Sequence, residues 1–463
     1  MYERFRIQQF KSWADTGDVR LGKLTGVFGT NSSGKTSLLQ FLLMLKQTAE
    51  SQDRSRVLHL GSRDTYVDLG TPADVLHGHE VPGILAFDLA WQTSQPIEVR
   101  NTLLKTGQVI ARPSRLALHA EIRVEDLSLS TERFTYRFGN YTFGMERVQE
   151  PKYRSVEYRL LHDDYDAVRM QGRKWQLPVP VKSYGFPDEA IAYYQNVGFL
   201  ADLALALETQ MQRTLYLGPL REYPERDYTW AGERPADVGR RGEKAIAALL
   251  ASRTDGPEGD GRVIQPGVRQ RLRTVEQHVA WWLRELGVIH DFELRQIAEG
   301  RKLYEVRVKT TAASPWVLIT DVGFGVSQVL PVLVLCFYAP EGSTLIFEQP
   351  EIHLHPRVQA GLADVFLDAI ERRGVQIVLE SHSEHLLRRL QRRIAEEVAS
   401  VDDIALYFVE PRQGASVLRA LDVDIFGNVR NWPEGFFGDE LGEMAAMTEA
   451  AMTRKLAAAG DGA

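Results

Sequence analysis

Eight residues near the start of the chain, Gly29-Thr30-Asn31-Ser32-Ser33-Gly34-Lys35-Thr36, constrain its fold more than any other stretch. They fit G-x-x-x-x-G-K-[ST], the spacing of a phosphate-cradling P-loop. Their flanks fit too: Leu24–Phe28 reads as a short buried strand and Ser37–Leu45 as an apolar helix. In that order the loop's backbone N–H groups and the positive end of the helix aim at one point, where a polyphosphate is stabilised. A chance match in a Gly/Ser-rich turn would lack those flanks. A nucleoside triphosphate is therefore the expected ligand.

The rest of the sheet must come from far away. After about residue 292, strands (Val317–Thr320, Thr344–Phe347, Gln376–Leu379, Ile404–Val409) alternate with helices (Ser327–Tyr338, Val358–Arg372, Glu384–Glu397). Such alternation implies a mostly parallel sheet with covering helices. Thr36 and Asp321 lie 285 positions apart, far more than a crossover connection needs. The expected fold is α/β, with a mixed sheet assembled from both chain ends and a large β-rich and helical region inserted between them. Residues 1–80 form the N-terminal part of the head, 81–290 the insertion, 291–415 the C-terminal part and 416–463 a tail domain. Within the insertion, 81–182 carries short alternating segments such as Ile84–Trp91 and Ala117–Val124, which favour antiparallel pairing, and 187–290 reads as helical. The Gly/Asp-rich break Asp255–Gly261 is the candidate mobile loop.

Three further stretches carry chemistry. Thr344-Leu345-Ile346-Phe347-Glu348 is an apolar strand ending in an acid, which suits a Mg²⁺-organising carboxylate opposite Thr36. Leu379-Glu380-Ser381-His382-Ser383 is again a buried strand with a polar end. Asp321–Gln328 places glycines before a helix N-terminus, another anion-binding arrangement.

These elements, in this order, resemble the ABC-class ATPases of the chromosome-maintenance and recombination-repair type. The nearest resemblance is to the overcoming-lysogenisation-defect-like branch, in which a string such as Glu348-Gln349-Pro350-Glu351-Ile352-His353-Leu354-His355-Pro356 is typical. The segment Asn431–Phe437 resembles a stand-alone subfamily whose C-terminal domain has no assigned function. The resemblance implies ATP and Mg²⁺ as cofactors. Asn31, Ser32, Ser33, Gly34, Lys35, Thr36 and Ser37 would hold the nucleotide, with Lys35 on the β- and γ-phosphates and Thr36 and Glu348 organising the metal. Gly323, Gly325 and Ser327 would contact the γ-phosphate of an opposite protomer, and His382 would be the switch histidine. Two protomers would then close head-to-tail on two ATP molecules. A separately encoded effector and a role in bacterial antiviral defence or DNA maintenance are further implications of the resemblance, with nucleic acid as an alternative partner. The family's metal-dependent nuclease domain needs more than the 81 residues that follow His382, so nuclease activity is not expected.

One position departs from the family pattern. Where a catalytic glutamate is usual, this chain has Gln349. An amide orients water but cannot accept its proton. The expectation is either slow hydrolysis or a site that binds and switches, with Glu351 as an alternative carboxylate. His353 and His355 read as structural or, with Glu351, as a metal site. Arg221 reads as a contact to nucleotide or partner, or as an ion pair. Arg388, Arg389, Arg392 and Arg393 read as a solvated or protein-contacting face in preference to a DNA surface.

Composition narrows the remainder. A net charge of -7 over 463 residues gives no global basic field for nucleic acid. The single cysteine, Cys336, excludes an internal disulfide and agrees with a reducing cytosol. No apolar window approaches bilayer length, so a cytoplasmic protein without membrane contact is expected.

Overall fold

The computed structural model describes residues 1–104, 108–148, 156–172, 176–253, 274–433 and 446–452. The candidate mobile loop Asp255–Gly261 and most of Asn431–Phe437 lie outside the described residues.

Two sheets organise the molecule. The core sheet runs in the spatial order Thr214–Leu217, Thr344–Glu348, Gln376–Glu380, Leu24–Gly29, Ile404–Arg412, Ala415–Ala420. Its first five strands are parallel and the last is antiparallel. These strands are nearly continuous apolar runs because helices cover both faces. Alternate side chains serve two different cores. Ile346, Val378 and Val27 join the core that contains the P-loop helix Lys35–Glu50. Leu345, Phe347, Ile377 and Leu379 join the other, beneath the helices Gly325–Tyr338 and Pro356–Arg373.

The second sheet is antiparallel, in the order Tyr158–Asp163, Tyr141–Arg147, Leu129–Phe138, Arg115–Val124, Gly83–Gln92, Tyr2–Phe10, Trp13–Asp15. Period-two burial along Arg115–Val124 shows one face packed and the other wet. The packed face meets the P-loop helix through Phe87 and Phe10, whose rings contact Phe41 edge-on at 5.2 and 5.6 Å.

Two pairings differ from the sequence-based picture. The N-terminal strand Tyr2–Phe10, expected to belong with the head, pairs with Gly83–Gln92 of the β-rich region along six positions. The strand Thr214–Leu217, inside the span expected to be helical, pairs with Thr344–Phe347. The core sheet therefore draws on both ends of the chain and on its middle. Sequence separation hides both pairings, and the four residues of Thr214–Leu217 add little periodic signal besides. The expected strand Val317–Thr320 is not a member of the parallel sheet: Val317–Leu318 pairs antiparallel with Arg307–Val308 in a separate small sheet, and the chain then tightens into a 3₁₀ turn, Ile319–Asp321.

Candidate functional site

The P-loop is held from behind. Gly29 has φ 146°, and a Cβ there would meet the Val409 carbonyl oxygen at 2.2 Å. Gly34 has φ 99°, and its Cβ would meet Ser416 Oγ at 2.3 Å and Ser12 Oγ at 2.4 Å. Both glycines are thus required by backbone conformation and close approach together. Ser416 Oγ donates to the Ser33 carbonyl (2.6 Å). Trp13 Nε1 donates to the Gly34 carbonyl (3.2 Å) and to Ser37 Oγ (3.0 Å). Lys35 Nζ donates to the Thr30 carbonyl (2.6 Å), which folds the lysine back over its own loop.

In front of the loop lies a cavity of about 520 Å³. Asn31, Ser32, Ser33, Gly34, Lys35, Thr36 and Ser37 line it together with Lys11, Ser12, Gln40, Gln349, Glu380 and His382. Parallel in-register pairing explains the convergence. Glu348 and Glu380 are register partners at the ends of adjacent strands, and the Glu380 strand is the one beside the P-loop strand.

That order corrects the expected partner of Thr36. Thr36 Oγ1 donates to Glu380 Oε1 (3.0 Å), and the facing acid is not Glu348. Glu348 stands one strand further out, 7% exposed, outside the lining of this cavity. Sequence reasoning assigned Glu380 no role. The signal was available: it ends an apolar strand two residues before His382, as Glu348 ends its own.

The electrostatics follow from burial. Burial and the charge of Glu380 push the Glu348 carboxyl up to about 7. Burial raises Glu380 as well, and the Thr36 hydroxyl and Lys35 offset part of that rise. Burial lowers Lys35, and burial and then Lys35 lower His382. These are the shifts expected when charged forms lose water and like charges crowd.

Gln349 adopts φ 44°, a left-handed conformation uncommon outside glycine. Its backbone N donates to the Glu380 carbonyl (2.9 Å), which ties the turn after one strand to the tip of the next. Glu351 does not reach the cavity lining. Its Oε1 accepts from the His382 backbone N (2.7 Å), fixing the turn that presents the histidine.

Gly323, Gly325 and Ser327 are not brought to the P-loop cavity of their own chain. Ser327 Oγ donates to the Phe324 carbonyl (2.8 Å) inside the first turn of Gly325–Tyr338. A Cβ on Gly323 or Gly325 would meet nothing within 4 Å.

Other singled-out residues find local partners. His355 caps the helix Pro356–Arg373, accepting from Arg357 N (3.3 Å), and the His353 ring packs against Phe324. Arg389 and Arg393 both pair with Asp364 at 2.6 Å, while Arg388 and Arg392 pair with Glu384 and Glu396 on their own helix or its end. Cys336 is fully buried. No helix among the described residues is long and apolar enough to cross a membrane.

The donor set suits a magnesium ion. Thr36 Oγ1 and the Glu380 carboxylate are hard oxygen donors at the cavity, and Glu348 stands one strand further out. Glu380 Oε2 is buried without a hydrogen-bond partner among the described residues, an acceptor left free beside the loop.

Comparison with known proteins adds family matches over part of the chain. Residues 299–388 match a family model described as "AAA domain, putative AbiEii toxin, Type IV TA system". Residues 400–447 match one described as "Protein of unknown function (DUF3696)". No curated protein matches the chain. Among solved structures, the SMC head bound to the C-terminal winged-helix domain of ScpA is 12% identical, with a TM-score of 0.43, over 91% of this chain and 98% of that one. The SMC head domain from Thermotoga maritima is 10% identical at TM-score 0.40, over 91% and 99%. An SMC head with an extended coiled coil, bound to the C-terminal domain of ScpA derived from Pyrococcus furiosus, is 10% identical at TM-score 0.39, over 91% and 96%. The fold class expected from the sequence, α/β with a mixed sheet drawn from both chain ends, is the one observed.

Proposed function

We propose that this chain binds ATP with Mg²⁺ in the cavity before the P-loop and uses it to close two copies head-to-tail. One observation carries the reading: Lys35, Thr36, Glu380, Gln349 and His382, drawn from three strands' ends, line one cavity of about 520 Å³. The loop's N–H groups cradle the phosphates, and Lys35 leaves the Thr30 carbonyl for the β- and γ-oxygens. Thr36 and Glu380, with Glu348 one strand further out, would hold the metal, which would supply charge neutralisation on the phosphates. The glycines at 323 and 325 support pairing. Nothing among the described residues needs a missing side chain there, which leaves room for the close approach of an opposite copy's γ-phosphate, with Ser327 beside it.

Hydrolysis in this reading is slow. Gln349 aligns water, and Glu351, engaged with the His382 backbone, does not replace the absent carboxylate. Among the described residues Glu380 is the only acid lining the cavity, and it is held by Thr36. That same observation favours a second reading, in which ATP binding closes the pair and the closed pair recruits an effector without turnover. Phosphate release under single-turnover conditions separates the two. Release at rates typical of ABC ATPases would sink both the slow-hydrolysis and the switch readings. A defence setting is supported by the sequence resemblance and by the toxin–antitoxin wording of the family matched over 299–388. Direct DNA work predicts salt-sensitive DNA binding by the purified chain; its absence at low salt removes that alternative.

A further inference from the structure

Arg221 has no part in the site as described so far. It sits on the loop that leaves Thr214–Leu217, and the pairing of Leu217 with Phe347 brings that loop out alongside Glu348. The main chain sets its place: Gly218 N donates to the Arg240 carbonyl (2.8 Å) and Glu222 N to the Arg241 carbonyl (2.9 Å). The residue is 5% exposed, yet none of its guanidinium nitrogens has a hydrogen-bond partner among the described residues. Packing does not call for this. An aliphatic side chain of similar volume would fill the space without desolvating a charge.

The surroundings explain the charge. The groups acting on Arg221 are Tyr216, Glu348 and Glu351, and burial lowers the guanidinium to about 10, which leaves it charged at neutral pH. Lys35 addresses Glu380 and Glu351 from the cavity side. Arg221, outside the cavity lining, acts on Glu348 and Glu351. When phosphates engage Lys35, Arg221 is the cation that stays with the acids.

We propose that Arg221 is a positioning residue for the metal, a buried cation that fixes the Glu348 carboxylate and balances the acid cluster while Lys35 serves the phosphates. The proposal rests on the ATP–Mg²⁺ reading of the cavity. Its test is a Mg²⁺ titration of ATP affinity, begun in EDTA, for the parent chain, Arg221→Lys and Arg221→Met. In Arg221→Met the Mg²⁺ midpoint rises about tenfold, as for loss of a partner that orients a metal ligand. Arg221→Lys recovers most of that shift. An unshifted midpoint in Arg221→Met overturns the proposal. Thermal unfolding of Arg221→Met, Glu348→Gln and the double variant gives a readout that needs no nucleotide. Coupling is expected, with the double variant melting above the sum of the two losses; strict additivity overturns the pairing. Where Arg221→Met does not fold, refolding of the double variant supports the pairing and failure of both counts against it. A parent chain that binds no ATP sinks the nucleotide reading instead, and the unfolding cycle still decides the pairing.

Discussion

The P-loop cavity and the Gly323–Ser327 turn are both built on glycines before a helix N-terminus, and they differ in what fills the space around them. At Gly34 a methyl group would strike two serine hydroxyls, so the loop is locked by its own chain. At Gly323 and Gly325 a methyl group would strike nothing within 4 Å. One glycine pair is explained by the monomer and the other is not. In the proposed pairing, the first is a site finished within one chain and the second a half-site presented to another.

The comparison can be broken at four points. Lys35→Ala should weaken ATP binding by about 3 kcal/mol, roughly 100-fold, because it removes charge-assisted bonds to phosphate; calorimetric titration checks it, and an unchanged affinity would refute the P-loop's role. Gly34→Ala should destabilise the chain by about 2 kcal/mol, combining a left-handed backbone with the contacts to Ser12 and Ser416, measured as the shift in denaturant midpoint. Glu348 sharpens the electrostatic side. Its folded value, about 7, lies above the ordinary 4.5, so the native state holds the proton more tightly than the unfolded chain. Stability is then full below about 4.5 and is lost as pH rises through about 7, by about 3 kcal/mol. Glu348→Gln should flatten that slope in urea unfolding series without Mg²⁺, and an unchanged slope would assign it elsewhere. Gly325→Ala should alter monomer stability by less than about 0.5 kcal/mol while weakening ATP-dependent pairing, read by light scattering. A large stability loss there would make the turn a packing feature like Gly34.

The strand order made the site harder to read than the P-loop. Glu348 and Glu380 both end apolar strands, and nothing in either segment says which one neighbours Leu24–Gly29. Once Gln376–Glu380 is seen to be that neighbour, Thr36 meets Glu380 and Glu348 is turned toward Tyr216 and Arg221. Arg221 was equally opaque, since a residue in a Pro- and acid-rich loop carries no sign of burial.

By itself the sequence determined the P-loop and its helix, the parallel character of Thr344–Phe347, Gln376–Leu379 and Ile404–Val409, and the antiparallel character of 81–182. These are local properties: a fixed eight-residue spacing, apolar runs, and alternation with a period of two. The tertiary structure alone decided which acid faces Thr36, that Glu351 braces His382, that Thr214–Leu217 completes the core sheet, and that Arg221 is buried with Glu348 among the charges acting on it. Each depends on which strands become neighbours, and neighbours hundreds of residues apart are chosen by packing and leave no mark in the local sequence.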